Sequence, residues 1–125
     1  MHTISSTQNE KYKFFKSLNQ KKYRSKTGLY TVEGIKSVSD AVSSGAPIEA
    51  LLVSDSFFSS QEDLIPQGFE IYIISDSIFS HLSDTEAPQG IIAVIRKRDT
   101  AASPDTSKAY IYCDRLQDPG NLGTI

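Results

Sequence analysis

A run of basic residues near the amino terminus is the first group of side chains that could do chemistry. The cluster consists of four cations with one aromatic residue between them: Lys21, Lys22, Tyr23, Arg24 and Lys26. Lysine and arginine neutralise phosphates, and an aromatic ring can stack on an unpaired base. We therefore predict that the four cations bind RNA. The alternative is a solvated basic loop with no ligand.

Two short segments place a polar side chain beside a glycine. Gln89, between Pro88 and Gly90, could reach a base or a ribose as a hydrogen-bonding side chain, or its segment could be only a tight turn. We include Gln89 among the predicted RNA-binding residues. Glu33 could lie near ribose hydroxyls, but Gly34 more simply ends a strand and admits a helix, so we favour a structural role for this pair.

The remaining reactive residue types suggest neither a metal site nor a disulfide. Cys113 is the single cysteine, and neither it nor His2 and His81 has metal-ligand spacing to the others. The segment from Asp118 to Asn121 has the composition of an ordinary β-turn when it is considered alone.

Charge is distributed unevenly along the 125 residues, although the formal net charge is only −2. Residues 1–26 carry seven basic residues and one acidic residue, a net +6, whereas residues 27–95 carry one basic and ten acidic residues, a net −9. Such a separation suggests one face built for a polyanion on an otherwise acidic protein. A solvated basic helix would give the same pattern.

Length and composition predict one ordinary globular domain with a real core. The chain is 38% hydrophobic and 22% charged, which lies within the globular range. No apolar run approaches the ~18–20 residues needed to span a bilayer, and the first residues lack the order of a signal peptide. We therefore expect a cytoplasmic protein with no membrane partner.

Alternating helical and strand patterns must position these side chains. A helix is expected over about residues 7–19, opened by a capping box at Thr7, with the basic cluster at its end or in the loop beyond. Strands are expected at residues 29–33, 48–53, 70–74 and 91–95, with helices between them, the first of which ends at Gly45. Because three of these strands are continuously apolar, we predict a mostly parallel sheet covered by helices on both faces, an α/β/α sandwich.

A change of composition follows the last of these strands. Residues 98–108 have no apolar periodicity and are expected to form a linker. A fresh strand and a turn-rich segment occupy residues 109–125. We therefore expect a first domain at 1–97, a linker at 98–108, and the beginning of a second domain at 109–125.

The segment Asp118-Pro119-Gly120-Asn121-Leu122-Gly123-Thr124-Ile125, directly after that strand, resembles the first motif of the SpoU/TrmH family of RNA ribose 2′-O-methyltransferases. The upstream region is similar to the substrate-binding domain of that family, through Lys21-Lys22-Tyr23-Arg24, Tyr30-Thr31-Val32-Glu33-Gly34 and Ala87-Pro88-Gln89-Gly90-Ile91. In the family this domain has the α/β/α fold of kink-turn-binding ribosomal proteins, which agrees with the predicted order of elements. The resemblance covers nearly the whole chain.

The resemblance implies that the chain is the RNA-binding part of an S-adenosylmethionine-dependent methyltransferase that acts on structured rRNA or tRNA. It places Asn121 in the catalytic site of the intact enzyme, whose knotted domain usually forms a homodimer. The motifs that form the cofactor pocket come later in the family, so we expect a truncated chain that holds no cofactor-binding residue and is inactive alone. Two alternatives stay open: a free-standing kink-turn-type RNA-binding module without catalysis, and a protein-interaction domain that binds an acidic partner.

Overall fold

The computed structural model describes residues 1–98 and 107–109. Most of the expected linker lies outside these residues, as do Cys113, Asn121 and the predicted strand beyond residue 109. In chain order the elements are β1 (His2–Ile4), α1 (Glu10–Ser17), α2 (Lys21–Thr27), β2 (Leu29–Glu33), α3 (Ile35–Ser43), β3 (Ile48–Ser54), α4 (Asp55–Gln61), a 3-10 turn (Glu62–Leu64), β4 (Ile71–Ile74), α5 (Asp76–Phe79) and β5 (Ile91–Arg96).

A single five-stranded sheet organises the described residues, in the order β1-β4-β3-β5-β2. The pairs β1–β4 and β4–β3 are parallel, and β5 runs antiparallel to both of its neighbours, β3 and β2. Four strands therefore point in one direction, so the prediction of a mostly parallel sheet is confirmed. The last strand is inserted in the opposite direction between β3 and β2.

Helices cover both faces of the sheet, which confirms the predicted α/β/α sandwich. On one face, α1 and α5 contribute Tyr12, Phe15 and Phe79 to a core that also contains Leu52 and Tyr72 from the strands. On the other face, α3 and α4 contribute Val38 and Phe57 and pack on Leu51, Val53 and Ile91. The continuous apolar runs of β3 and β5 fill both cores because successive side chains point to opposite faces.

The amino-terminal segment differs from the prediction in three respects. Residues 2–4 form a strand, β1, at the edge of the sheet; three residues are too few for a recognisable alternation. The predicted helix over 7–19 is wrong in its bounds, because Asn9 and not Thr7 is the N-cap of α1: its side-chain oxygen accepts hydrogen bonds from the N–H groups of Lys11 and Tyr12. The basic cluster is neither the end of that helix nor a loop but a second helix, α2.

The boundaries of α3 agree with the sequence. The helix ends as predicted at Gly45, whose N–H donates to the carbonyl of Val42, while the N–H of Ala46 donates to the carbonyl of Ala41. These two bonds form a Schellman motif, which satisfies two carbonyls at the helix end. No helix in the described part of the chain is long and apolar enough to cross a membrane.

Candidate functional site

The basic cluster is presented to solvent by α2, which buries none of its residues. Lys21, Lys22 and Lys26 are exposed, whereas Arg24 is half-buried. The guanidinium of Arg24 donates from Nη1 to the carbonyl of Leu18 at 3.0 Å, so one of its donors stabilises the end of the preceding helix. Lys22 Nζ lies 4.9 Å from the centre of the Tyr23 ring. The structure thus places three exposed lysines on one short helix and gives Arg24 an additional structural contact.

Three further cations at the end of β5 lie next to the end of α2, and they were not predicted from the sequence. They are Arg96, Lys97 and Arg98, all of them exposed. The backbone N–H of Lys97 donates to the carbonyl of Gly28, the residue that ends α2, at 2.7 Å. Arg96 and Lys97 follow the predicted strand at 91–95, and Arg98 begins the predicted linker; only the pairing of β5 with β2 brings them near the end of the basic helix.

The turn that carries Gln89 is attached to the carboxylate of Glu33. The Glu33 carboxylate accepts hydrogen bonds from the hydroxyl of Ser83 at 2.5 and 2.9 Å, from the backbone N–H of Gln89 at 3.1 Å and from the hydroxyl of Thr85 at 3.5 Å. One half-buried side chain therefore anchors the whole loop before β5. This arrangement agrees with the structural role favoured for Glu33, and its partners lie 50–56 residues away in the sequence.

Two glycines allow this loop to approach the sheet closely. A Cβ on Gly34, whose φ is 96°, would lie 2.2 Å from Gln89 Oε1, so the amide of Gln89 is folded over the backbone of Gly34. A Cβ on Gly90, whose φ is 86°, would lie 2.9 Å from both Ser54 Oγ and Phe57 Cβ. The segment around Gln89 is thus a tight, closely packed turn, and Gln89 remains exposed at its surface.

The two predicted RNA-binding groups lie at opposite ends of the paired strands β2 and β5. Leu29, directly after α2, pairs with Arg96, whereas Glu33, beside the Gln89 turn, pairs with Ile92. The four steps from Arg96 to Ile92 along β5 correspond to about 13 Å at ~3.3 Å per residue. The cluster on α2 and Gln89 therefore do not form one compact site.

The end of the sheet near Gln89 also contains a cleft of 410 Å³ between α4, α5 and the turn. Asp76 lies at its rim, where Oδ1 accepts hydrogen bonds from the backbone N–H and the hydroxyl of Ser56 at 3.1 and 3.0 Å. Phe57, Phe79 and Gly90 provide apolar walls. Within residues 1–98 and 107–109, no group of three or more His, Cys, Asp or Glu side chains is arranged to hold a metal ion.

Comparison with known proteins places this arrangement among RNA methyltransferases. The chain is 36% identical over 129 residues to the 23S rRNA (guanosine(2553)-2′-O)-methyltransferase RlmP of Bacillus subtilis (strain 168), a match covering 100% of this chain and 49% of the relative. The chain thus spans about half the length of that relative.

Solved structures share the fold at lower sequence identity. A crystal structure of an RNA 2′-O ribose methyltransferase matches with a TM-score of 0.74 at 24% identity, over 97% of this chain and 48% of that one. The SpoU methyltransferase AviRb from Streptomyces viridochromogenes, in complex with the cofactor AdoMet, matches with a TM-score of 0.65 at 23% identity, over 94% of this chain and 47% of that one. At these identities the likeness establishes the fold.

The family itself is established by the sequence of the folded region. The MRM3-like substrate binding domain family matches residues 9–93, which include both predicted RNA-binding groups and run from the N-cap of α1 into β5. The resemblance to SpoU/TrmH methyltransferases drawn from the sequence is confirmed by the family match and by the Bacillus relative, and the solved structures share the fold. This chain belongs to the MRM3-like substrate binding domain family.

Proposed function

We propose that this chain is the RNA-binding amino-terminal part of an S-adenosylmethionine-dependent rRNA 2′-O-methyltransferase, and that it positions structured RNA for methyl transfer. The family that matches residues 9–93 and the rRNA 2′-O-methyltransferase activity for which the Bacillus relative is named support this proposal. When bound to the intact enzyme, S-adenosylmethionine would supply the methyl group. Such an enzyme would act as a homodimer in the cytoplasm, where its RNA substrate lies.

The proposal divides the chain into three parts. Residues 1–97 bind RNA, residues 98–108 form a linker, and residues 109–125 begin the methyltransferase domain and include Asn121 in its catalytic site. We assign no cofactor-binding residue to this chain, so the 125 residues alone should neither bind S-adenosylmethionine nor methylate RNA. Calorimetric titration of the folded chain with S-adenosylmethionine tests this point, and micromolar binding would contradict it.

The exposed lysines of α2 are the observation that carries the proposed RNA contact. Lys21, Lys22 and Lys26 point into solvent from a helix that buries nothing, so the helix contributes little to the core. An amphipathic helix normally stabilises a domain through its buried face. A basic helix with no buried residue is better explained as a surface for phosphates, because the rest of the domain is acidic and would repel them.

Salt-dependent RNA binding tests this contact. If the three lysines meet phosphates, log K should fall with log salt at a slope of roughly −2 to −3, at ~0.7–0.9 per contact. The double variant Lys21→Gln/Lys22→Gln should flatten that slope by about 1.5 and weaken binding about tenfold or more near 0.1 M salt. Lys11→Gln/Lys13→Gln on α1 is the matched control, since both side chains are exposed and the charge change is the same.

Arg24 is left unchanged in this test because its guanidinium also holds the carbonyl of Leu18. Both double variants are first compared with the parent by thermal melting, so that loss of binding is not mistaken for unfolding. Equal RNA affinity and equal salt slope in the α2 variant and in the α1 control would refute the proposed contact. Gln89 would then be the next residue to vary.

A further inference from the structure

We propose that the end of β5 and α2 form one continuous phosphate-binding surface, in which Lys97 and Arg98 contact the RNA backbone beside Lys21, Lys22 and Lys26. This inference rests on the proposed function and adds to it a second element of the fold. Lys97 is the last residue of the predicted first domain, and Arg98 is the first residue of the predicted linker.

The backbone fixes the contact between the two elements. The hydrogen bond from the Lys97 N–H to the Gly28 carbonyl, at 2.7 Å, joins the end of β5 to the residue that ends α2. The register of the ladder places Arg96 opposite Leu29. The basic residues on either side of this bond therefore belong to neighbouring stretches of backbone.

The two arginines at this end are held in place by polar partners. Arg96 Nε donates to Glu49 Oε1 at 2.6 Å, and Arg98 Nη2 donates to the carbonyl of Gly45, at the end of α3, at 2.6 Å. A guanidinium has five N–H donors, so each arginine keeps donors for a further acceptor. An already oriented side chain loses less conformational entropy on binding than a free one.

A groove of 400 Å³ lies between these arginines and the end of α3. Its wall includes Tyr30, Ala46 and Pro47, and its basic rim is formed by residues 96–98. Arg98 and Tyr30 thus border the same open space. The groove provides room for a ribose and its phosphate beside the cations.

The neighbourhood of α2 and the opposite end of the sheet differ in charge. Around α2 and the end of β5, the carboxylate in contact with a basic side chain is Glu49, which is paired with Arg96. The opposite end carries five carboxylates around the Gln89 turn and the cleft, with Lys36 as the nearby cation: Glu33, Asp55, Asp76, Asp84 and Glu86. A phosphate backbone is attracted to the first end and repelled from the second.

Two single variants with the same charge change test the inference. Lys97→Gln removes a cation from the proposed surface, and Lys36→Gln removes one from the opposite end; both side chains are exposed. Binding of the 125-residue chain to a fluorescent RNA hairpin of mixed sequence is measured from about 0.05 to 0.5 M salt. Lys97→Gln should reduce the salt slope by ~0.7–0.9 and weaken binding about five- to eightfold near 0.1 M salt. Arg98→Gln should act similarly, and Lys36→Gln should change neither quantity.

The possible outcomes separate this inference from the proposed function. Normal binding by Lys97→Gln and Arg98→Gln, with weak binding by Lys21→Gln/Lys22→Gln, would overturn the inference and leave the proposed function standing. Normal binding by all of these variants would overturn both. A larger loss in Lys36→Gln would place the RNA at the opposite end and overturn the inference. Displacement of the hairpin by poly-glutamate as readily as by unlabelled RNA would indicate an acidic protein partner and would also overturn it.

Discussion

Substitution of Gly90 by alanine tests how closely the Gln89 turn is packed against the sheet. Gly90 is buried, has a φ of 86°, and would place a Cβ 2.9 Å from Ser54 Oγ and from Phe57 Cβ. Gly68 offers a matched control, because its φ is 90° but a Cβ there would meet nothing within 4 Å. The two substitutions share the backbone strain and differ in the steric contact.

The expected loss of stability in each variant follows from backbone strain and, for Gly90→Ala, steric contact. An alanine held in a glycine-only conformation costs about 1–3 kcal/mol, and this should be the whole effect of Gly68→Ala. Gly90→Ala adds overpacking against Phe57 and Ser54, which costs about 1–3 kcal/mol more. The Ser54 hydroxyl also caps α4 by accepting from the Phe57 N–H at 3.2 Å, so it cannot move away without losing that bond.

Thermal melting of the two variants measures the difference. At ~4–8 °C per kcal/mol for a domain of this size, Gly90→Ala should melt roughly 5–20 °C below Gly68→Ala. In urea unfolding, the same difference should appear as a lower midpoint concentration of urea for Gly90→Ala than for Gly68→Ala. The slope of the unfolding free energy against urea concentration should be the same for both variants. Equal melting temperatures for the two variants would refute the close packing of the turn and the argument built on it.

Three further predictions concern other parts of the fold. Glu33→Gln should speed amide hydrogen exchange at Gln89 about threefold to tenfold, because a charged acceptor is lost from the loop anchor; unchanged exchange would mean that other contacts hold the loop. Burial raises the pKa of Tyr12 above its ordinary value of 10, so its contribution to stability should be complete below about pH 10 and lost as pH rises through the folded-state pKa. Tyr12→Phe should therefore lose less stability than the parent between about pH 8 and pH 11, although it gives up the hydrogen bond to the Ile78 carbonyl; identical pH dependence in urea unfolding would contradict this. Removal of residues 98–125 should leave a cooperative melt if 1–97 is a domain, and a broad transition without a midpoint would place the boundary elsewhere.

Short-range sequence patterns predicted most of the strands and the helix α3, but not the helix α2 or the order of the strands in the sheet. The strands β2 to β5 and the helix α3 lie close to their predicted bounds, because β-branched runs, a terminal glycine and a following proline mark them within a few residues of sequence. The helix α2 escaped prediction because it has no apolar periodicity: its seven residues bury nothing. The insertion of β5 between β3 and β2 depends on long-range pairing, which no local pattern encodes.

The candidate site was likewise predicted only in part from the sequence. The basic character of Lys21, Lys22 and Lys26 was visible in the sequence, as was the turn at Gln89. Their separation to opposite ends of the sheet was not, because it follows from the register of β2 on β5. Likewise the anchoring of the Gln89 turn by Glu33 joins residues 56 positions apart.

The hydrogen bond between Lys97 and Gly28 also fixes where the polypeptide leaves the folded unit. Residues 98–108, the proposed linker, start one position after that bond, and eleven residues can span at most about 36–40 Å when fully extended. If the proposed function holds, a methyltransferase domain beyond the linker would be tethered to the basic end of the sheet, and nucleotides bound by α2 would lie closest to the tether point. RNA bound at the Gln89 end would begin about 13 Å further away, which is about a third of the available reach. The position of one backbone bond would thus limit how far from the bound phosphates such a domain can act.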